Sequence, residues 1–210
     1  GTVIADQVIE VLNGGTATFP VNAPAIRQEE MEVLSPFFEL TENMGSLFSS
    51  IFEGNMDSID IGYHGKVSEY DIRVLTSMTL VKILKKYSAE SVNMINVDLI
   101  TKEAGLKVKI EKSSHSNDYV NLITVNGNGP DSGLSISGTV TGKKNIPRFI
   151  AIDKFEIDMV PSQHMAFIRY DDVPGQIGKI GTAFGRLGVN IAAMYPNLTL
   201  TMSGGFQSDN

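Results

Sequence analysis

Near Leu106 the apolar residues of this chain change their period. Upstream they recur every three to four positions, as on helices, and from there to about Met159 they alternate, as on strands. A chain that gathers helices early and strands late is not a regular strand–helix alternation, so an α+β fold is expected. "LKVKIEK", "YVNLITVNG", "SISGTVTG" and "RFIAIDKFEIDM" carry β-branched residues at period two and predict an antiparallel sheet. The glycine-rich "NGNGPDSG" between two of them reads as a hairpin tip.

The upstream half supplies the helices. "GTVIADQVIEVLNGG" places Val3, Ile4, Val8, Val11 and Leu12 at helical spacing and stops at paired glycines. In "ATFPVNAPAI", Pro20 and Pro24 favour an extended connection. Residues 28–53 read as helix divided at Pro36 and closed by Gly54. "DSIDIGYHGKV" alternates, with Ile59, Ile61 and Tyr63 on one face of a strand. A longer helix follows, with Val74, Met78, Val81 and Leu84 or Lys85 marking its turns, then "SVNMINVDLITKEAG" as a further helix closed by Gly105. Near His164 a second unit begins: strand "HMAFIRYDD", helix "GQIGKIGTAFGRLG", and one or two strands in "VNIAAMYPNLTLTM".

Composition narrows the functions. The formal net charge of −7 argues against nucleic acid, which needs clustered Lys and Arg. No apolar run reaches the roughly 18 residues of a membrane span, and Asp6 and Glu10 break any signal-peptide pattern at the start. With no cysteine, disulfides, thiolate metal sites and cysteine nucleophiles are excluded, and a cytoplasmic setting is expected. The three histidines lie far apart without ligand spacing, so no metal site is expected. A chain that opens on Gly1 rather than Met reads as part of a longer polypeptide.

"RYDDVPGQIGKIG", residues 169–181, raises the functional question. Its glycines are three apart, which matches neither a dinucleotide fingerprint nor a P-loop. Two readings fit the residues. In the first, Ile177, Ile180, Phe184 and Leu187 form a stripe that packs on a sheet, Pro174 occupies the first helical turn, and Asp171 or Asp172 caps the helix. In the second, the unpaired amides of a helix N-terminus attract a carboxylate, while Asp172 attracts an ammonium group. A ligand carrying both groups on one carbon is an α-amino acid, and Asn190 could read it with its donor and acceptor.

At this point "IRYDDVPGQIGKIGTAFGRLGVNIAAM" resembles the opening half of an ACT domain, an amino-acid-sensing module of ferredoxin-like fold. Upstream, "IADQVIEVLNGG", "FPVNAPAI" and "PFFELTENMGSLFSSIFEGNMDSIDIGYHG" together resemble the C-terminal regulatory part of long-form D-3-phosphoglycerate dehydrogenases. The resemblance covers nearly all of residues 2–195. It implies the end of a catalytic-body helix over 1–13, an intervening (allosteric substrate-binding) domain over 14–162, and a truncated ACT unit over 163–210.

The parent enzyme implied is an NAD-dependent oxidoreductase of serine biosynthesis, but this chain holds no dinucleotide fingerprint and no cofactor site of its own. The resemblance further implies regulation by L-serine as effector, through Tyr170, Asp172, Gly175, Gln176, Ile177 and Asn190. It implies a homo-oligomer, and an anion site for phosphate or phosphoglycerate at Arg148, for which Lys144 and Lys154 are the candidate second cations. A second basic position of that site aligns near Val160, which cannot hold an anion. Two alternatives remain: the equivalent segment of an L-serine dehydratase, and a purely structural dimerisation module. "VNAPAI" after the leading helix favours the dehydrogenase.

Overall fold

The computed structural model describes residues 28–194 apart from 117, 163, 169, 171 and 172. The expected helix near the start, the Pro20–Pro24 connection and the segment after Met194 lie outside the described residues. Helix α1 (Gln28–Leu34) and helix α2 (Pro36–Ile51) are divided at Ser35, with Pro36 in the first turn of α2, where its missing amide costs nothing. Strand β1 (Ser58–Gly65) follows, then a 3-10 turn (Lys66–Glu69), α3 (Arg73–Leu84) and α4 (Val97–Glu103). Strands β2 (Lys107–Ser113), β3 (Asn121–Asn128), β4 (Gly133–Thr141), β5 (Ile146–Ile152) and β6 (Phe155–Met159) complete the sheet. Helix α5 (Gln176–Arg186) is the last described element.

The α+β class holds, and the sheet is mixed. Its order is β2-β1-β3-β4-β5-β6, and β1 pairs parallel with β2, whereas an antiparallel sheet was expected. The remaining pairs are antiparallel. The exception has a plain cause: α3 and α4 lie between β1 and β2 in the chain, and a crossover through helices returns a strand in the same direction. The "NGNGPDSG" tip does join two antiparallel strands, β3 and β4. "RFIAIDKFEIDM" is two strands rather than one, turned at Asp153 in the left-handed region (φ 50°).

One sheet face is covered. Ile59, Ile61 and Tyr63 of β1, Ile123 and Val125 of β3, Ile136 of β4 and Phe149 and Ile152 of β5 are buried beneath Leu40, Met44, Leu47 and Phe48 of α2. At two points the backbone itself supplies the fit. Gly127 lies under the Phe48 ring, where a Cβ would come within 2.2 Å of Cζ, and Gly45 of α2 abuts the Thr79 carbonyl of α3. The opposite face of the same strands carries Asp60, His64, Thr124, Asn126, Ser135 and Ser137, all half-buried.

Helix α3 turns differently from the expected stripe. It buries Val74, Leu75, Ser77, Thr79, Leu80, Ile83 and Leu84, leaves Met78 and Val81 half-buried and exposes Lys85. Thr79 is tolerated inside because its hydroxyl donates to the Leu75 carbonyl at 2.9 Å. Helix α4 is shorter than expected, and Asn93 and Asn96 build the turn before it. The Asn93 amide donates to Asn96 Oδ1 and the Asn96 amide to Asn93 Oδ1, a reciprocal cap flanked by buried Val92 and Val97. Gly105 closes it at φ 66°, as expected.

Candidate functional site

The second unit departs from expectation in two respects. Among the described residues, 164–168 and 170 form no strand, and neither do 189–194. Helix α5 forms where expected, yet it buries none of its residues. Ile177 is 46% and Leu187 75% exposed, so the stripe through Ile180 and Phe184 is not packed on a sheet. Phe167, by contrast, is buried with the core and ties the connection back to the first unit.

At the start of α5 the backbone geometry is explicit. Gly175 is the N-cap, at φ 91° in the left-handed region that glycine alone enters without strain. No side chain of the described residues caps the helix, and Pro174 precedes the cap instead of occupying the first turn. The Gln176 amide donates to the Val173 carbonyl at 3.4 Å and the Lys179 amide to the Gly175 carbonyl at 3.1 Å. Gly175, Gly178, Lys179, Thr182, Ala183 and Arg186 line an open depression of about 500 Å³ along the helix. Thr182 turns its hydroxyl to the Gly178 carbonyl at 2.7 Å, so the two cations give the depression its charge.

Of the six effector positions named from sequence, Gly175, Gln176 and Ile177 share this helix start. Tyr170 lies half-buried in the preceding segment, and Asn190 is exposed beyond the far end of α5. Asp172, the proposed ammonium partner, lies outside the described residues. Sequence reasoning passed over Lys179, Thr182 and Arg186. Their spacing from Gly175 and Gly178 marks a second helix face, which was legible once the apolar one had been drawn.

The anion candidates are placed on one hairpin. Arg148 sits on β5 opposite Thr139 of β4, and its guanidinium is ion-paired with Asp158 of β6. Lys144 is exposed in the β4–β5 turn, which Gly142 (φ 70°) and Asn145 (φ 52°) shape. Val160 is exposed just beyond β6. Elsewhere, Asp71 accepts from Arg73 Nε at 2.9 Å, and that guanidinium holds the Asp71 carboxyl below the usual carboxylate range. Among the described residues no group of three His, Cys, Asp or Glu could hold a metal ion, and no helix is long and apolar enough to cross a membrane.

These features define an α+β module with helices on one face of a mixed sheet, followed by an amphipathic helix with a cationic side. The sequence family described as the D-3-phosphoglycerate dehydrogenase intervening domain matches residues 33–153, and the chain belongs to that family. The D-3-phosphoglycerate dehydrogenase of Methanocaldococcus jannaschii is 28% identical over 92% of this chain and 36% of its own length. That of Synechocystis is 31% identical over 91% and 34%, and that of Bacillus subtilis 27% identical over 91% and 36%. The chain thus spans about a third of the length of these curated relatives. The matched region is the intervening domain, distinct from the NAD-binding catalytic part.

Proposed function

We propose that this chain is the regulatory, non-catalytic region of a cytoplasmic D-3-phosphoglycerate dehydrogenase, sensing L-serine and helping the enzyme assemble. The family match over 33–153 carries this reading, and the curated relatives extend the similarity beyond it, over more than nine-tenths of the chain. The L-serine carboxylate would be received at the Gly175–Ile177 helix start, where the partial positive charge of the helix terminus favours an anion. Lys179, one turn on, adds a full charge of the same sign. Asp172 would hold the ammonium group, and Tyr170 and Asn190 the remaining polar edge. Oxidation of 3-phosphoglycerate with NAD would belong to the catalytic part of the enzyme. Phosphate or phosphoglycerate would bind at Arg148 and Lys144.

A thermal-shift titration tests the serine reading, because a ligand of the folded state raises the midpoint by mass action, about 2.7 kcal/mol at a hundredfold excess over Kd. L-serine is expected to stabilise the chain and D-serine not to. Asp172→Ala should remove the response while leaving the unliganded midpoint nearly unchanged. A response that survives Asp172→Ala undiminished overturns the ammonium assignment. No response to L-serine, together with a self-associating chain, favours the structural dimerisation module instead; the exposed Ile177 and Leu187 supply apolar surface for it.

A further inference from the structure

We propose that the free edge of β2 pairs antiparallel with the same edge of a second copy, about a twofold axis at Ile110. Among the described residues β2 ends the sheet, and Lys107, Lys109, Ile110, Glu111 and Lys112 are exposed along it. Its unpaired backbone groups can therefore extend the sheet. Lysines on an edge usually repel a second strand, but this edge is self-complementary in one register. With the axis at Ile110, Lys109 lies opposite Glu111 of the partner subunit, and symmetry repeats the pair. A single such contact therefore supplies two opposite-charge pairs and closes as a dimer.

The rows across the ladder agree with that register. On the open face, Asp60 of β1 lies beside Lys109, so the row Asp60, Lys109 and Glu111 of the partner subunit alternates in sign. On the covered face, Ile110 lies beside fully buried Ile61 and is itself 38% exposed. Pairing places it against Ile110 of the partner subunit, which continues an apolar row through the seam. A slip of one residue would send every side chain to the wrong face. Helix α4, which packs against β2, leaves Leu99 exposed, and Ile95 in the turn before it is exposed as well. The other edge is less suited: with the axis at its central residue, Ile157, β6 would bring Glu156 against Asp158 of the partner subunit. This interface does not depend on serine binding and stands if that reading fails.

Sedimentation equilibrium of the 210-residue chain decides the matter. The wild type is expected to be a dimer. Lys109→Glu and Glu111→Lys each set like charges opposite one another twice, and each should weaken the dimer about tenfold or more. The double swap Lys109→Glu/Glu111→Lys restores both pairs and should return the dissociation constant to within about threefold of wild type. That recovery also shows that neither single variant failed merely by misfolding. A monomeric wild type, single variants that dimerise normally, or a double swap that stays dissociated would each overturn the proposal. So would an open series of larger species, which points to β2 meeting acidic β6 head to tail.

Discussion

Tyr63 Oη and Thr76 Oγ1 lie 2.9 Å apart and join the central strand β1 to helix α3 through a phenol with no solvent exposure. Burial raises its pKa far above the ordinary 10.0, and the bond to Thr76 opposes that shift only in part. The sign follows from linkage. The folded state keeps the neutral phenol, so its contribution is complete below pH 10.0 and is lost as pH rises through the folded value. In an alkaline titration followed by phenolate absorbance, one of the six tyrosines should ionise only as the chain unfolds, and Tyr63→Phe should remove that step. The same variant should cost about 1 kcal/mol at neutral pH, because the Thr76 hydroxyl loses its partner.

Gly45 shows packing overriding propensity. Alanine there gains about 1 kcal/mol of helix propensity. Its Cβ, however, would sit 2.6 Å from the Thr79 carbonyl oxygen and 2.9 Å from Lys82 Cβ. Backbone cannot yield as a side-chain tip can, and overpacking costs about 1–3 kcal/mol. Gly45→Ala is therefore expected to lower stability by up to about 2 kcal/mol net in denaturant titration. Gly178→Ala on α5 is the contrast. A Cβ there meets nothing within 4 Å, so it should be neutral or stabilising.

The same close approach explains what the sequence did and did not disclose. Ile59, Ile61 and Tyr63 could be assigned to one buried face because alternation is local. The stripe of α3 was drawn through Met78 and Val81, since apolar spacing cannot register that Gly45 draws α2 onto Thr79. The parallel pairing of β1 with β2 was equally hidden, because a strand's own period does not name its neighbours. At the candidate site, the α5 helix was readable from residue types, whereas its Gly175 cap was not, because proline preference alone places Pro174 in the first turn. The Asp158 partner of Arg148 was not, because it depends on where the β5–β6 hairpin turns.

Asn93 offers a signal that was present and unread. Asparagines three apart, each able to accept the other's amide, with valines on either side, mark the turn that leads into a helix whose N-cap is Asn96. Asn93 Oδ1 accepts from the amides of both Ile95 and Asn96, at 2.9 and 3.1 Å. Asn93→Ala is expected to cost about 1 kcal/mol and Asn93→Asp much less, since the carboxylate keeps the acceptor and favours the helix terminus. Equal losses in the two variants would mean that the cap contributes through something other than its acceptor.

Arg148 allows the anion reading to be tested against its own ion pair. Its side chain is 29% exposed, while that of Asp158 is 72% exposed, so the carboxylate sits in water and the guanidinium is partly shielded. A pair of this kind contributes no more than about 1 kcal/mol. It nevertheless occupies the donors that a phosphate would need, and Asp158 adds a negative charge beside them. If Arg148 belongs to an anion site, Asp158→Asn should tighten phosphate binding several-fold in calorimetry, with a stability change under about 1 kcal/mol. Arg148→Ala should abolish it in either background, and Lys144→Ala should weaken it less, because that exposed turn lysine supplies charge without a fixed fork of donors. Equal phosphate affinity in wild type and Asp158→Asn would confine Arg148 to cross-strand pairing within the β5–β6 hairpin.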